Sequence, residues 1–271
     1  MKRLLIAGCG DLGLRLARVL DRSRWSVTGL RRNPEALDGS VDAIGADLDQ
    51  PASLEPVAGY WDAAVYQATP SERSPEGYRK AYVDGLRNLL SVIEPVRLIF
   101  VSSTSVYAQD EGEIVDEESA TEPERYNGRV LLEAEELARS ISATSIRVRF
   151  SGIYGPGRGF LLRQVRAGQA LCRETPPQWT NRIHADDCAG VLAHVLELDR
   201  PAGLYCASDS LPSPRCEVLD WLARRIGSAP VRRDTQASDG QGKRVCNRRL
   251  LASGYAFQYP DFKTGYGAML E

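Results

Sequence analysis

The chain has 271 residues, enough to bury a sizeable core in one large α/β unit, alone or with a smaller appendage. Its 34 Lys and Arg residues nearly balance 36 Asp and Glu residues, so there is no electrostatic case for a nucleic-acid partner. No apolar run approaches the roughly 18 residues that span a bilayer, and we therefore expect no membrane partner.

The cysteine pattern indicates reduced thiols. Six cysteines are scattered along the chain without any C-x-x-C pair, beside only two histidines. This usage is typical of a cytoplasmic protein without a metal site, and several of these thiols are expected to lie in apolar surroundings as small hydrophobes. The six are Cys9, Cys172, Cys188, Cys206, Cys216 and Cys246.

The N-terminal stretch predicts a strand, a glycine turn and a helix. Residues 4–7 are a short apolar run, which suits a buried parallel strand, and Gly8, Gly10 and Gly13 follow at the G-x-G-x-x-G spacing. In this setting Gly8 permits the tight turn, Gly10 lets the backbone approach a pyrophosphate, and Gly13 lets helix pack on strand. The alternative is a tight turn in an unrelated α/β protein. The predicted cofactor-binding residues here are Gly8, Cys9, Gly10, Asp11, Leu12 and Gly13.

The end of the second predicted strand, residues 25–30, indicates which dinucleotide is bound. An NAD-preferring site usually places a carboxylate about 20 residues past the glycines, where it holds the ribose 2′-OH. Here Arg31 and Arg32 occupy that place, and no carboxylate follows before Glu35. Because guanidinium groups suit a 2′-phosphate, the pattern favours NADP over NAD. The alternative is a pair of solvated arginines on a loop.

The next two predicted strands, residues 41–46 and 62–67, deliver further candidate cofactor residues. Asp47 and Leu48 follow the first of them, where an adenine ring would lie in such a fold. Ala68 and Thr69 follow the second, and small residues at a strand's carboxyl end leave room for a ligand. A long helix is predicted over residues 75–94.

The fifth predicted strand, residues 97–102, ends in several hydroxyls, among them Ser102 and Ser103. These groups could position a carbonyl or carry protons, although local turn chemistry explains them equally well. The acidic segment 109–124 is expected to be a solvated loop. A helix is predicted over residues 125–141 and a sixth strand over residues 144–150.

The remaining elements point to a second, smaller lobe. Residues 151–159 contain four glycines and a proline, which marks a loop and a topological change. Helices are predicted over residues 160–167 and 215–226, a strand over residues 203–207, and a helix opening at residues 182–187, where Asp186 or Asp187 supplies a first-turn carboxylate. We predict a doubly wound parallel α/β sheet, with residues 1–150 and 181–207 forming a cofactor domain and residues 151–180 and 208–271 a substrate lobe.

Four stretches resemble the motifs of the extended short-chain dehydrogenases/reductases, the family that holds NAD(P)-dependent nucleotide-sugar epimerases and dehydratases. They are residues 8–13, 102–107, 149–157 and 182–187, in the expected order. The resemblance implies an NAD(P)-binding Rossmann fold with substrate-lobe pieces late in the chain. By position, Ser103 matches the family's catalytic Ser/Thr and Tyr126 its catalytic Tyr. Since extended members are often dimers, a homodimer is expected.

The chain departs from the family's pattern at its proton relay. Val130 stands where the lysine of the YxxxK motif belongs, and Arg129 lies one residue early, roughly 100° around the helix. A phenol near its reference pKa of about 10 is a poor base at neutral pH. Tyr82 replaces an asparagine common on the long helix, and the glycine spacing also differs. In these departures the chain resembles an atypical subgroup of the family.

Two functions follow as hypotheses. In the first, an NADP-dependent oxidoreductase or epimerase acts on a small polar or nucleotide-sugar-like substrate, with Tyr126 and Ser103 flanking a carbonyl or hydroxyl and Arg129 or His184 adjusting charge. In the second, the chain is a catalytically silent NADP-binding sensor or partner-binding module. The missing lysine favours the second, whereas Tyr126, Ser103 and the late lobe favour the first.

Overall fold

The computed structural model describes residues 1–141, 144–235 and 240–271, and a seven-stranded sheet is its largest element. In space the strands follow the order β7-β6-β5-β4-β1-β2-β3. In chain order they are β1 (Lys2–Ala7), β2 (Trp25–Arg31), β3 (Asp42–Gly45), β4 (Gly59–Tyr66), β5 (Ile93–Ser103), β6 (Ile146–Phe150) and β7 (Leu204–Ala207).

The first strand lies at the switch point of the sheet. β1 pairs in parallel with β2 on one side and with β4 on the other, so that Ile6 has Gly29 and Val65 as its partners. The chain therefore winds outward from β1 to β3 and then restarts at β4 in the opposite direction. With right-handed crossovers, the connecting helices of the two halves cover opposite faces. The predicted doubly wound α/β fold is confirmed, and such folds bind ligands at the carboxyl ends of the strands beside this switch point.

Burial explains why the short apolar runs form central strands. Leu4, Leu5, Ile6 and Ala7 are all fully buried, as expected for a parallel strand covered on both faces. Nine α-helices are found in the described residues. They are α1 (Asp11–Val19), α2 (Pro75–Arg79), α3 (Gly85–Leu90), α4 (Tyr126–Ile141), α5 (Phe160–Arg166), α6 (Ala185–Glu197), α7 (Arg215–Ile226), α8 (Arg248–Ala252) and α9 (Phe262–Ala268).

The prediction of one long helix over residues 75–94 was wrong in two respects. A π-helical turn, Lys80–Asp84, separates α2 from α3, and α3 ends at Leu90 because Ile93 already begins β5. The helix predicted to open at residues 182–187 likewise starts later, since Arg182–His184 is a strand.

The described chain divides into two compact units. Unit 1 consists of Met1–Val106, Thr121–Arg149 and Ala189–Tyr205; unit 2 consists of Tyr107–Ala120, Phe150–Cys188 and Cys206–Glu271. The predicted assignment of residues 1–150 and 181–207 to cofactor binding, and of the remainder to substrate binding, concerns function and stays a prediction.

Unit 2 contains short strand pairs that the sequence pattern did not indicate. Gly152–Tyr154, inside the predicted loop 151–159, pairs in parallel with Arg182–His184. Glu111–Val115, inside the acidic segment expected to be a solvated loop, pairs in parallel with Gly242–Val245. Both pairings join segments distant in sequence, which local periodicity cannot show.

The apolar core of unit 2 includes Tyr154, Leu162, Val165, Ala170, Cys172, Cys216, Val218, Leu219, Leu222, Ala223, Val231, Phe262 and Tyr266.

The expectation of six reduced thiols was wrong at two positions. Cys172 and Cys216 form a disulfide across a sequence separation of 44 residues, with their Cα atoms 5.3 Å apart. The sequence spacing of these cysteines does not indicate their pairing. Only the fold brings Cys172, at the end of the strand Leu171–Cys172, against Cys216 in the first turn of α7. Cys9, Cys188 and Cys206 are buried and lie outside this disulfide, as expected for small hydrophobes. Among the described residues, no helix combines the length and apolarity needed to cross a bilayer.

Candidate functional site

The glycine loop after β1 is held by hydrogen bonds to β2 and by close packing against the residues that follow β4. The backbone N–H groups of Gly8 and Cys9 both donate to the Leu30 carbonyl, at 3.0 and 2.9 Å. Gly8 has φ +76°, and a Cβ there would lie 2.6 Å from the Ala68 Cα. Only glycine fits this combination of left-handed backbone and close approach.

The loop leads directly into a helix N-terminus without a side-chain cap. Gly10 is the N-cap of α1, and no side chain caps it. The first N–H groups of a helix lack intrahelical partners and favour anions. A Cβ on Gly10 would meet only the Gly8 carbonyl, at 4.0 Å, so the backbone here is open to a ligand. This geometry fits the diphosphate of a dinucleotide.

Gly13 has the predicted packing role. A Cβ at this position would lie 2.3 Å from Gln67 Nε2 and 2.8 Å from Cys9 Sγ, so a larger residue would push α1 off the sheet. Burial raises the pKa of the Cys9 thiol to about 11. That thiol therefore stays protonated near neutral pH and packs as an apolar group rather than acting as a nucleophile.

A cavity of about 310 Å³ at the ends of β1–β4 gathers most of the predicted cofactor residues. Asp11, Leu12 and Gly13 belong to α1 and do not line it, and neither does Ser102 at the end of β5. Of the predicted residues it is lined by Gly8, Cys9, Gly10, Arg31, Arg32, Asp47, Leu48, Ala68 and Thr69. The other lining residues are Leu30, Asn33, Ala46, Asp49, Ser71, Gly77, Lys80 and Ala81.

Two guanidinium groups, those of Arg31 and Arg32, line this cavity. Arg31 is the last residue of β2 and is half-buried, whereas Arg32 is exposed. Within the described part of the chain, no carboxylate oxygen lies within 4.0 Å of either guanidinium group, so neither forms an ion pair. Glu35, the first carboxylate after them, lies in a short 3-10 turn, Pro34–Ala36, and does not line the cavity.

The loop after β3 is fixed from two sides. The Asp47 N–H donates to Ser53 Oγ at 2.9 Å, and Asn88 Nδ2 on α3 donates to the Leu48 carbonyl at 2.9 Å. The loop thus keeps its conformation without help from a ligand. Sequence reasoning missed Asn88, since nothing local connects it with a segment 40 residues earlier.

Ser102 belongs to a buried ion-pair network in unit 1. Its hydroxyl donates to Glu135 Oε1 at 2.6 Å, and Arg149 Nη2 donates to Glu135 Oε2 at 2.6 Å. All three residues are at least 95% buried. The Ser102 hydroxyl is therefore engaged in holding β5, α4 and β6 together, while its role towards a cofactor stays a prediction.

The candidate catalytic hydroxyls each have a backbone partner. Ser103 Oγ accepts from the Ser105 N–H at 3.2 Å, and Tyr126 Oη donates to the Arg73 carbonyl at 2.9 Å. Tyr126 also meets Tyr78 edge to face, with ring centroids 5.3 Å apart. No hydrogen bond joins the Tyr126 and Ser103 hydroxyls in the described residues.

The start of α4 nevertheless packs closely on the short 3-10 turn Thr104–Val106, which follows β5. A Cβ on Gly128 would lie 2.6 Å from the Ser105 carbonyl oxygen, so this glycine permits the approach. Arg129, one residue further on, donates to the Glu124 carbonyl. Its guanidinium faces the preceding loop and does not replace the missing lysine.

The motif around His184 has a structural role in unit 2. His184 is 2% exposed, with its ring 5.3 Å from that of Tyr154 and 4.0 Å from that of Tyr259. Asp187 accepts from the Tyr255 hydroxyl and from the Gln258 and Tyr259 N–H groups at 2.8–2.9 Å. A first-turn carboxylate was thus an incomplete explanation of Asp187, which also anchors the C-terminal segment.

Comparison with known proteins agrees with this geometry. The model of the NAD dependent epimerase/dehydratase family matches residues 4–204. Protein YeeZ of Escherichia coli (strain K12) is 28% identical over 280 residues, which cover 96% of this chain and 97% of YeeZ.

Solved structures extend the match over the whole fold. A candidate NAD-dependent epimerase/dehydratase from Methylobacillus flagellatus is 40% identical, with a TM-score of 0.86 over 99% of this chain and 97% of that one. The human epimerase family protein SDR39U1 (isoform 2), solved with NADPH, is 21% identical, with a TM-score of 0.80 over 99% of each chain. The second likeness concerns the fold alone.

Proposed function

The chain belongs to the NAD-dependent epimerase/dehydratase family, and we propose that within it the protein is an NADP-dependent oxidoreductase or epimerase. Its substrate is a small polar or nucleotide-sugar-like molecule. When bound, the cofactor supplies or accepts a hydride. The chain's own residues bind the dinucleotide, orient it and move the proton.

The observation that carries the proposal is the shared cavity of Gly8, Gly10, Arg31 and Arg32. The uncapped N-terminus of α1, which follows the glycine turn, presents backbone N–H groups to a diphosphate. Two guanidinium groups without an ion-pair partner in the described structure lie where a ribose 2′-substituent would be held. A 2′-phosphate gives them a bidentate anionic partner, whereas a 2′-OH does not.

The chemistry is assigned to Tyr126 and Ser103 at the ends of α4 and β5. In the reactive complex the Tyr126 hydroxyl leaves the Arg73 carbonyl and exchanges a proton with the substrate oxygen, which Ser103 Oγ orients. Val130 stands where the family's lysine would be, so this position supplies no positive charge beside the reacting hydroxyl.

A thermal-shift comparison tests the cofactor assignment. NADPH should raise the melting temperature more than NADH at equal concentration, because a tighter ligand stabilises the folded state more. In the double variant Arg31→Ala/Arg32→Ala the two shifts should become equal. Equal shifts in the wild-type protein would remove the claim of NADP specificity.

One alternative is a catalytically silent NADP-binding sensor or partner-binding module. Val130 and the hydrogen bond from Tyr126 to the Arg73 carbonyl favour it. Native mass spectrometry of the purified protein separates the two functions. A co-purifying polar metabolite that the cofactor-loaded protein converts supports the enzyme, and cofactor alone without any turnover supports the sensor.

A further inference from the structure

The π turn between α2 and α3 has an identifiable cause. Tyr66, fully buried on β4, donates its hydroxyl hydrogen to the Ala81 carbonyl. That carbonyl would otherwise accept from the Gly85 N–H in an α-helix, and the Gly85 N–H instead donates to the Lys80 carbonyl, five residues back. Single π turns in α-helices often mark functional sites.

Gly85 is required for this arrangement. A Cβ there would lie 2.6 Å from the Tyr66 hydroxyl and 3.1 Å from the Lys80 carbonyl, so the phenol reaches the helix only opposite a glycine. Tyr66 on the sheet thus sets the position of the turn. The turn begins with Lys80 and Ala81, and both line the cavity.

Lys80 decides the sign of the cavity's charge. Two guanidinium groups, Arg31 and Arg32, and two carboxylates, Asp47 and Asp49, cancel each other, and Lys80 is the remaining charged lining residue. In the described structure its ammonium group has no hydrogen bond or ion pair. The adjacent Arg79, by contrast, makes two hydrogen bonds of 2.7 Å to Glu133 and does not line the cavity.

We propose that Lys80 is a cofactor-positioning residue whose ammonium group binds the diphosphate of the dinucleotide. This inference rests on the proposed dinucleotide site. The turn that carries Lys80 is bonded to Tyr66 on β4, and the end of β4 packs on the diphosphate-binding glycine loop through Ala68 and Gly8. Arg31 and Arg32 follow β2 and act on the 2′-phosphate. The cavity therefore divides its cations between two anionic groups.

Titrations of NADPH and NADH against purified full-length variants test this division. Lys80→Ala should raise the dissociation constants of both dinucleotides by the same factor, about tenfold or more, as expected for loss of a charge-assisted contact. Lys80→Arg should retain most of the affinity. Arg32→Ala should weaken NADPH alone. Arg79→Ala, which removes a cation one residue away but outside the cavity, should bind both as the wild type does.

A second variant tests the positioning itself. Tyr66→Phe removes only the hydroxyl that holds the π turn, and it should weaken both dinucleotides although Lys80 is still present. Affinities of Lys80→Ala equal to wild type, an effect on NADPH alone, or an equal loss in Arg79→Ala would each overturn the inference while leaving the proposed function intact. Failure of the wild-type protein to bind either dinucleotide would overturn both.

Discussion

Tyr126 Oη donates to the Arg73 carbonyl at 2.9 Å, so the candidate acid/base begins its work from a hydrogen-bonded resting position. The Tyr126 ring also contacts Tyr78 edge to face. To act as an acid/base, this hydroxyl must exchange the Arg73 carbonyl for a substrate oxygen as its acceptor. Such an exchange costs less free energy than leaving the hydroxyl without any acceptor.

Tyr126→Phe separates chemistry from cofactor binding. Since the ring contact with Tyr78 survives and only the hydroxyl is lost, we expect turnover to disappear while the NADPH dissociation constant changes by less than about twofold. Steady-state kinetics and a binding titration on the same preparation measure both quantities. Tyr78→Phe is the control, with turnover retained. Normal activity in Tyr126→Phe would remove Tyr126 from the mechanism.

Gly8→Ala should damage both stability and binding. The new Cβ would meet the Ala68 backbone at 2.6 Å with φ at +76°, so we expect a loss of unfolding free energy above about 1–2 kcal/mol and no measurable NADPH binding. Gly59→Ala is the matched control. It also has positive φ, +102°, but nothing lies within 4 Å. Urea unfolding of the two variants should show the smaller loss in Gly59→Ala, and equal losses would contradict the close-packing argument.

The buried pair of Glu135 and Arg149 should behave as a stability element. Glu135→Gln leaves the Arg149 guanidinium buried without its carboxylate, and breaking such a pair from one side costs about 3–5 kcal/mol. Urea unfolding measures this loss. The double variant Glu135→Leu/Arg149→Leu should cost less than Glu135→Gln, since no charge is left unpaired. A single-variant loss below about 1 kcal/mol would show that the pair is not buried in solution.

Asp209 predicts a pH dependence of stability. Burial raises the pKa of its carboxyl to about 7, against about 3.9 in an unfolded chain. Between these values the folded state binds more protons than the unfolded state, so its contribution to stability decreases as pH rises from about 4 to about 7. Asp209→Asn removes the titrating group. The variant should gain stability relative to wild type between pH 5 and pH 8 in urea unfolding. An identical pH profile for the two proteins would contradict a raised pKa.

Local patterns in the sequence were sufficient for the parts of the fold that depend on nearest neighbours. The apolar run of β1, the glycines after it and the amphipathic α1 predicted the loop that the structure contains. The same holds for Arg31 and Arg32, because their position follows directly from the end of β2.

Features that depend on tertiary contacts could not be found this way. The Tyr66 hydroxyl and Gly85 meet only after β4 and the helix pack, so neither the π turn nor Lys80 was predicted. The Cys172–Cys216 disulfide and the pairing of Glu111–Val115 with Gly242–Val245 also join distant segments. The hydrogen bond from Ser102 to Glu135 likewise spans 33 residues of sequence, and no local pattern indicates it.

The most direct test is an equilibrium titration of the purified wild-type chain with NADPH, followed by nicotinamide fluorescence and repeated with Gly8→Ala. We predict saturable binding of one NADPH per chain to the wild type, displaced by NADP⁺ and absent in the variant. A wild-type signal that does not saturate, or equal binding by Gly8→Ala, would contradict a dinucleotide site on this loop.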